Sequence, residues 1–348
     1  MVMRITSASA TPIDIRLSES LPTGAGGIGD RGGMRVTITA EDLSGVGETA
    51  PIPGQSGPKL ESLASELSRW CEGAADRTVD GALDGLDDDD LSTLSRFALH
   101  TALIDLQARA ADTSVSQWLR AGAASRVRVN ALIGESSPAA VHARAVELVQ
   151  QGISAIKLKV GAVDQSLDIT RIVAASEAAG SDVELRLDAN GAWTTEATAR
   201  IIGRVGKHRV SYIEDPTPDS SQFAMLAEQT GVDVAIDLTG TSDPDADIEA
   251  AGVNTVVVKP AALGGIDRVI SLAERHPERR VIVSSSIDRE VGLAAALHAA
   301  AVLSPTAGPH GLATGRLIRG MDPALLVANG DVRVPAGPGI WNETPEQD

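Results

Sequence analysis

The sequence predicts a closed α/β barrel preceded by a smaller α+β domain, and three observations support this fold class. From about residue 127 onward, strand-like and helical stretches alternate, which is typical of a parallel sheet. Ionisable residues end successive strand-like stretches at intervals of roughly 20–30 residues, close to the roughly 30 residues of a βαβ unit. The residues before this repeat have the pattern of a β meander followed by helices. The length of 348 residues accommodates both parts, since such a barrel needs about 250 residues.

The first 57 residues are predicted to form the meander, with extended segments at 4–17 and 34–40. Between them, the glycine-rich segment 23–33 is predicted to be a loop. It contains a Gly-x-Gly-x-x-Gly match, but a strand follows where a dinucleotide site requires a helix, so no such site is predicted. Helices are predicted over 59–71 and 91–111. The acidic run at 87–90 is expected to be solvated and to favour the start of the second helix.

The barrel is predicted to occupy residues 126–322, after an N-terminal α+β capping domain at 1–125. The last segment, 323–348, is expected to return to the capping domain and to pair with its meander. Helices are expected at 140–150 and 167–179 among others. The predicted barrel strands are 127–132, 155–160, 183–188, 210–214, 232–237, 254–259 and 280–285, with a degenerate eighth at 309–312.

Composition and charge exclude several classes of function. The net charge of −17 and the pI near 4.8 leave no basic surface of the kind that binds nucleic acid. Cys71 is the single cysteine, so no disulfide forms within the chain. No secretory signal is evident, and the longest apolar stretch, 291–303, is too short to span a membrane. The expected location is therefore the cytoplasm, with no membrane or nucleic-acid partner; the oligomeric state is left open.

Six charged residues share one face of the predicted strands. Side chains alternate between faces along a strand, and here the apolar face must pack under the helices, so the charged face points into the barrel. Unpaired buried charges are very costly, and barrel enzymes carry their catalytic groups at the carboxyl ends of the strands. A salt-bridge network is the structural alternative, and a catalytic site is favoured. The six are Lys157, Lys159, Asp188, Glu214, Asp237 and Lys259.

This set of side chains indicates metal-assisted proton abstraction. Three carboxylates with water suit Mg²⁺, with Mn²⁺ as a second possibility, since both take oxygen ligands. Zinc is disfavoured, because no histidine or cysteine accompanies the carboxylates. A lysine beside a divalent cation is shifted toward its neutral form and can serve as a general base. The predicted reaction class is proton removal α to a carboxylate of a small molecule.

The same array resembles the enolase superfamily, and within it the muconate-lactonizing subgroup. The resemblance is carried by Lys157-x-Lys159, Asp188-Ala-Asn190, Glu214-Asp-Pro, Asp237 and Lys259-Pro. It implies a TIM-like modified (β/α)7β barrel with the α+β capping domain. It also implies Mg²⁺ ligation by Asp188, Glu214 and Asp237, with Lys159 and Lys259 as paired bases. A Lys base with Mg²⁺ is the general scheme of this superfamily.

The seventh strand indicates which branch of the subgroup is most similar. Its serine-rich end, 284–286, and the segments 262–266 and 311–315 resemble o-succinylbenzoate synthases, which make a menaquinone precursor. This resemblance implies dehydration of a succinyl-substituted hydroxycyclohexadiene carboxylate. Substrate binding is then expected at Lys157, Arg186, Asn190, Ser284 and Ser285.

Two alternatives remain open at this point. One is an acylamino-acid racemase or another enzyme of the same subgroup. The other is a non-catalytic protein on the same fold, because Leu238 follows Asp237 where the family usually has an acidic residue.

Overall fold

The computed structural model describes residues 2–18, 21–23, 26–54, 57–161, 164–303 and 307–342. The strands are β1 (Ile5–Ile15), β2 (Leu21–Thr23), β3 (Gly26–Ile28), β4 (Arg31–Ala40), β5 (Leu43–Thr49), β6 (Arg126–Arg128), β7 (Ala131–Ile133), β8 (Ala155–Lys159), β9 (Glu184–Asp188), β10 (Tyr212–Glu214), β11 (Asp233–Asp237), β12 (Thr255–Val258), β13 (Arg280–Val283) and β14 (Asp331–Arg333). The α-helices are α1 (Leu60–Glu72), α2 (Val79–Asp84), α3 (Thr93–Ala110), α4 (Val115–Leu119), α5 (Pro138–Gln150), α6 (Gln165–Ala179), α7 (Thr195–Val205), α8 (Phe223–Thr230), α9 (Pro244–Ala251), α10 (Pro260–Leu263), α11 (Ile266–Arg275) and α12 (Glu290–Val302).

The N-terminal region is an antiparallel sheet, in the order β1-β4-β5, packed against helices. Strand β4 buries Val36, Ile38 and neighbouring residues in a cluster with the apolar stripe of α1 and the residues of α3. Strand β5 lies directly on α3, because a Cβ at Gly45 or Gly47 would stand 2.2 or 1.9 Å from a carbonyl oxygen of that helix. The Gly-Val-Gly sequence therefore permits close contact between a strand and a helix.

The glycine-rich segment is not a loop throughout. Strands β2 and β3 form a short antiparallel hairpin, and β4 begins at Arg31, so Gly32 and Gly33 pair with β1. Packing requires glycine at position 33, since a Cβ there would lie 2.7 Å from the Thr49 carbonyl oxygen, whereas a Cβ at Gly32 would meet only the end of the Leu60 side chain. The loop prediction is wrong at 23, 26–28 and 31–33, which are strand residues, while residues 24–25 lie outside the described part of the chain.

The second region is the predicted barrel. Among the described residues, seven parallel strands lie in the order β7-β8-β9-β10-β11-β12-β13, with helices between them along the chain. Parallel bridges join Val129 to His310 and Ser284 to Gly311, so the segment expected to form a degenerate eighth strand links the two edges of the sheet. The modified (β/α)7β barrel with an antiparallel cap is confirmed. The apolar stretch at 291–303 is mostly the buried barrel helix α12, and no described helix is long and apolar enough to cross a membrane.

The C-terminal segment returns by a different route from the one expected. Strand β14 pairs antiparallel with β6, so the predicted pairing with the N-terminal meander is wrong, and the predicted strand at 127–132 divides into β6 and β7. Beyond β14, Ile340 donates its N–H to the Asp105 carboxylate of α3 at 2.7 Å. The same carboxylate accepts the N–H of Val46 at 2.8 Å. A buried carboxylate needs donors, and here the tail supplies one.

Charged side chains join the cap to the barrel. Arg96 of α3 donates to Asp87 at 2.6 Å and to Asp267 of α11 at 2.8 Å. Arg268 also donates to Asp87, at 2.9 Å. The acidic run before α3 is expected to be solvated and to favour the start of that helix. Asp87 is largely exposed, and in addition it bridges two arginines from different regions of the fold.

Candidate active site

A cavity of about 160 Å³ opens at the carboxyl ends of the barrel strands. Its wall combines barrel residues with Ile28 and Ile52 of the cap. Nine of the ten sequence-predicted site residues line it: Lys157, Lys159, Asp188, Asn190, Glu214, Asp237, Lys259, Ser284 and Ser285. Strand pairing produces this convergence, since Lys159, Asp188 and Glu214 are register partners across β8, β9 and β10.

The lysines cross-link the carboxylates. Lys157 donates from Nζ to Asp188 at 2.7 Å and to Glu214 at 2.6 Å. Lys159 donates to the same Asp188 oxygen at 2.6 Å. Lys259 donates to Asp237. The ammonium groups thus neutralise charge that would otherwise be very costly in a buried setting.

The electrostatics of the three carboxylates differ. Burial and the nearby charges of Asp188 and Asp237 raise the pKa of Glu214, although Lys157 opposes the shift. Burial alone would also raise the pKa of Asp188, but Lys157 and Lys159 outweigh it and the pKa is lowered. The pKa of Asp237 is lowered in the same way, because Lys259 outweighs burial. Glu214 is therefore the carboxylate whose negative charge is least compensated by protein groups.

This donor set fits a divalent cation with oxygen ligands. The described residues contain no group of three His, Cys, Asp or Glu side chains arranged to hold a metal ion, and lysine ammonium groups contact the carboxylates of Asp188, Glu214 and Asp237. Among the described residues, Glu214 Oε2 is buried without a hydrogen-bond partner. Buried polar atoms are nearly always paired, so this oxygen is available to a bound cation or water. Asp188, Glu214 and Asp237 are the residues that would hold a cation.

Thr239 performs a role that the sequence analysis did not assign. Its hydroxyl donates to Asp237 at 2.7 Å and accepts from Lys259 at 2.8 Å. The residue before it, Leu238, is buried in the apolar core, as alternation along the strand requires when Asp237 faces inward. Although no acidic residue follows Asp237, its carboxylate accepts a hydrogen bond from the Thr239 hydroxyl.

The serine-rich segment that directly follows β13 lines the same cavity. The hydroxyls of Ser285 and Thr314 are hydrogen-bonded at 2.7 Å, and Ser284 Oγ donates to the Gly311 carbonyl at 3.3 Å. Thr314 lines the cavity and was not predicted as a site residue, although it lies in the 311–315 segment already noted in the sequence. Asn190 has a φ of 45°, which places it in a turn directly after Asp188.

Arg186 is the predicted substrate-binding residue that does not line the cavity. Its side chain is fully buried, where it donates to Asn130 at 2.8 Å, to the Pro309 carbonyl at 2.7 Å and to Glu184 at 2.8 Å. It faces the barrel interior as expected, but one layer below the cavity. Its position supports a structural role in place of contact with substrate.

Comparisons with known proteins identify the family of this chain. Residues 140–345 match the family described as "Enolase C-terminal domain-like". Similar curated proteins include the o-succinylbenzoate synthase of Thermobifida fusca, 31% identical over 59% of this chain and 66% of that protein. The o-succinylbenzoate synthase of Mycobacterium tuberculosis strain H37Rv is 35% identical over 55% of this chain and 59% of that protein. The match to these relatives therefore spans less than two thirds of their length.

Solved structures with the same fold cover nearly the whole chain. Muconate lactonizing enzyme from Pseudomonas fluorescens has a TM-score of 0.88 at 18% identity, covering 98% of this chain and 96% of that one. Dipeptide epimerase from Enterococcus faecalis, complexed with Mg and a dipeptide, has a TM-score of 0.86 at 22% identity over 97% and 99%. N-succinyl Arg/Lys racemase from Bacillus cereus has a TM-score of 0.87 at 21% identity over 97% and 95%. By its matched family and by its fold, this chain belongs to the enolase superfamily.

Proposed function

We propose that this protein is an Mg²⁺-dependent o-succinylbenzoate synthase. The reaction is the syn-dehydration of 2-succinyl-6-hydroxy-2,4-cyclohexadiene-1-carboxylate to o-succinylbenzoate, a step toward menaquinone. The observation that carries the proposal is one cavity that contains Lys159 and Lys259 together with three carboxylates. The names of the curated relatives support the choice of substrate.

The roles of the residues follow from chemistry. Lys159, as a neutral amine, removes the proton α to the substrate carboxylate and returns it to the departing hydroxyl, so that water leaves and the ring becomes aromatic. Lys259 remains cationic and stabilises the negative charge that develops on the substrate. A bound Mg²⁺ supplies positive charge to the carboxylate of the substrate. The hydroxyl-lined wall at Ser284 and Ser285 is proposed to hold the succinyl arm.

The test is an assay of the purified protein with the cyclohexadiene substrate and Mg²⁺, following formation of the aromatic product. Replacing Lys159 with alanine is expected to lower turnover by roughly 10²–10⁴-fold, the usual contribution of a general base. The matched control is Lys207→Ala, because Lys207 is exposed and lies outside the cavity. No turnover by the wild type, or equal turnover by Lys159→Ala and Lys207→Ala, would contradict the proposal.

A second candidate is racemisation of N-succinylamino acids. One observation favours it: lysines reach the cavity from β8 and from the end of β12, separated along the sheet by the carboxylate-bearing strands. Two bases on different sides of a substrate can remove a proton from one face and return it to the other. The two activities are distinguished by NMR in D₂O, where a racemase exchanges the α-proton of N-succinylamino acids and a dedicated dehydratase leaves it in place.

A further inference from the structure

Arg31 connects the cap to the serine-rich wall of the cavity. It is the first residue of β4 and follows Ile28, a wall residue, by three positions. Its side chain is buried, and its Nη2 donates to two consecutive carbonyl oxygens, Ser286 O at 2.7 Å and Ile287 O at 2.6 Å. One guanidinium nitrogen thus holds two successive peptide units of the loop that follows β13.

The backbone held by Arg31 is strained. Ile287 has a φ of 59°, a left-handed conformation that is an outlier for a β-branched residue. Such conformations persist only where the surroundings impose them, and they cluster at binding and catalytic sites. The loop also holds itself, because Ile287 donates its N–H to Ser285 Oγ at 3.2 Å and Ser286 donates to Asp288 at 2.9 Å. Ile287 and Ser285 both line the cavity.

The position of Arg31 carries an energetic cost. Its Nε and Nη1 are buried without hydrogen-bond partners, and the nearby carboxylate of Asp288 interacts with it through charge alone among the described contacts. If the role of this residue were only to fill space, an apolar side chain would do so without the cost of burying unpaired nitrogens. The hydrogen bonds that it does make are to the cavity wall.

We infer that Arg31 is a positioning residue for substrate binding. It holds the strained Ser285–Ile287 segment through hydrogen bonds and connects it to the cap segment that carries Ile28. The cap and barrel walls of the cavity are thereby fixed in position relative to each other. Arg31 itself does not touch the substrate, because it is not among the residues that line the cavity. The kinetic part of this inference rests on the proposed function, whereas its structural part does not.

The experiment compares Arg31→Met with Arg35→Met. Arg35 lies on the same strand, and its guanidinium bonds Glu48 within the cap at 2.7 Å, so it is a matched control for loss of a cap arginine. Arg31→Met is expected to raise KM by roughly tenfold with a smaller change in kcat, the size expected for bonds donated by a charged group. Arg31→Lys, which keeps a charged donor, is expected to recover part of this loss. Arg35→Met is expected to leave KM unchanged.

Hydrogen–deuterium exchange provides the readout that does not require activity. Amides of residues 284–288 are expected to exchange faster in Arg31→Met than in the wild type and in Arg35→Met. If Arg31→Met does not fold, Arg31→Lys decides, with an intermediate rise in both KM and exchange. Unchanged exchange at 284–288 overturns the inference even if the wild type turns nothing over, and so does a KM that Arg31→Met and Arg35→Met alter equally.

Discussion

The barrel interior contains two charged layers that are built from similar residues and behave differently. The lower layer, near the amino ends of the strands, consists of Glu184, Arg186 and Arg280. Arg186 donates to Glu184, to Asn130 and to a backbone carbonyl. Arg280 donates to Glu184 at 3.2 Å and to the carbonyls of Ala307 and Gly308. Each charge in this layer has partners within the protein.

The upper layer, at the carboxyl ends, is only partly satisfied. Lys157 and Lys159 share Asp188, whereas Glu214 keeps one buried oxygen without a partner and has a raised pKa. A network of buried charges stabilises a fold when every charge in it has a hydrogen-bond partner, and an unpaired member is costly. The comparison therefore distinguishes a layer whose charges are paired within the protein from a layer that keeps an unpaired buried oxygen, as the proposed cation site requires.

The largest expected effect is on the lower layer. Arg186→Met should reduce the free energy of unfolding by about 3–5 kcal/mol, because it leaves two buried acceptors, the Asn130 side-chain oxygen and the Pro309 carbonyl, without their donor. Denaturant unfolding measures this change. Lys159→Met, in the upper layer, should change stability by less than half as much. Equal stability loss in the two variants would contradict the division into layers.

The next effect concerns the ligand of the upper layer. Mg²⁺ at about 100 times its dissociation constant should stabilise the wild type by about 2.7 kcal/mol, because the cation binds the folded carboxylate set and not the unfolded chain. Thermal unfolding with and without Mg²⁺ measures it. The shift should disappear in Asp237→Asn and persist in Glu184→Gln. Absence of any shift in the wild type would favour a non-catalytic protein on this fold.

Glu184 and Glu214 are a matched pair of glutamates, one from each layer, and their substitution tests the same comparison. Without divalent cations, Glu184→Gln should lower the free energy of unfolding by about 1–3 kcal/mol, since it weakens charged hydrogen bonds to two arginines. Glu214→Gln should lower it less or not at all, because the substitution removes a charge that Asp188 and Asp237 repel. Turnover should follow the opposite order, with Glu214→Gln inactive. A larger stability loss in Glu214→Gln would argue against the proposed metal site.

The smallest effect is a pH dependence at the lower layer. Burial and the charges of Arg186, Arg280 and Arg128 lower the pKa of His310 to about 3, and its Nδ1 accepts the N–H of Val283. The folded state therefore keeps a neutral ring while the unfolded state binds a proton below about pH 6.5. The contribution of this histidine to the free energy of unfolding is fully present above that pH and is lost as the pH falls toward 3. At pH 5.5 the loss amounts to about 1.4 kcal/mol.

Urea unfolding at several pH values measures this loss, and His310→Asn is the control. Asparagine can still accept from the Val283 amide but does not titrate. The variant should therefore lose less stability than the wild type between pH 7 and 5.5. Parallel pH profiles would show that His310 is not held in its neutral form.

Much of the upper layer could be predicted from sequence, because two local rules are sufficient. Alternation along a strand places Lys157, Lys159 and Asp188 on the inner face, and the strand ends place them at one mouth of the barrel. The family resemblance assigned Arg186 to the site, and alternation places it on the same inner face. These rules do not determine the depth of a side chain, which depends on the stagger between strands and on the acceptors, such as the Pro309 carbonyl, that tertiary structure brings near.

Other features depended on contacts between distant segments. Ile28 and Ile52 reach the cavity from the cap, and no periodicity in their own segments indicates a binding wall. Gly32 and Gly33 belong to a strand although glycine density indicates a loop, because both pair with β1. Strand β14 in the tail pairs with β6. Further along the tail, the Ile340 N–H donates to the buried Asp105 carboxylate of α3, which is far away in sequence.

The sequence alone determined the class of the fold, the succession of strands and helices in the barrel and the identities of the groups that face into it, because side-chain alternation and strand–helix repetition are local properties of the chain. Only the tertiary structure decided which of those charges are satisfied and which remain without a partner. That distinction depends on distances between residues tens to hundreds of positions apart. The physical reason is that the energy of a buried charge is set by its surroundings and not by its own position in the chain.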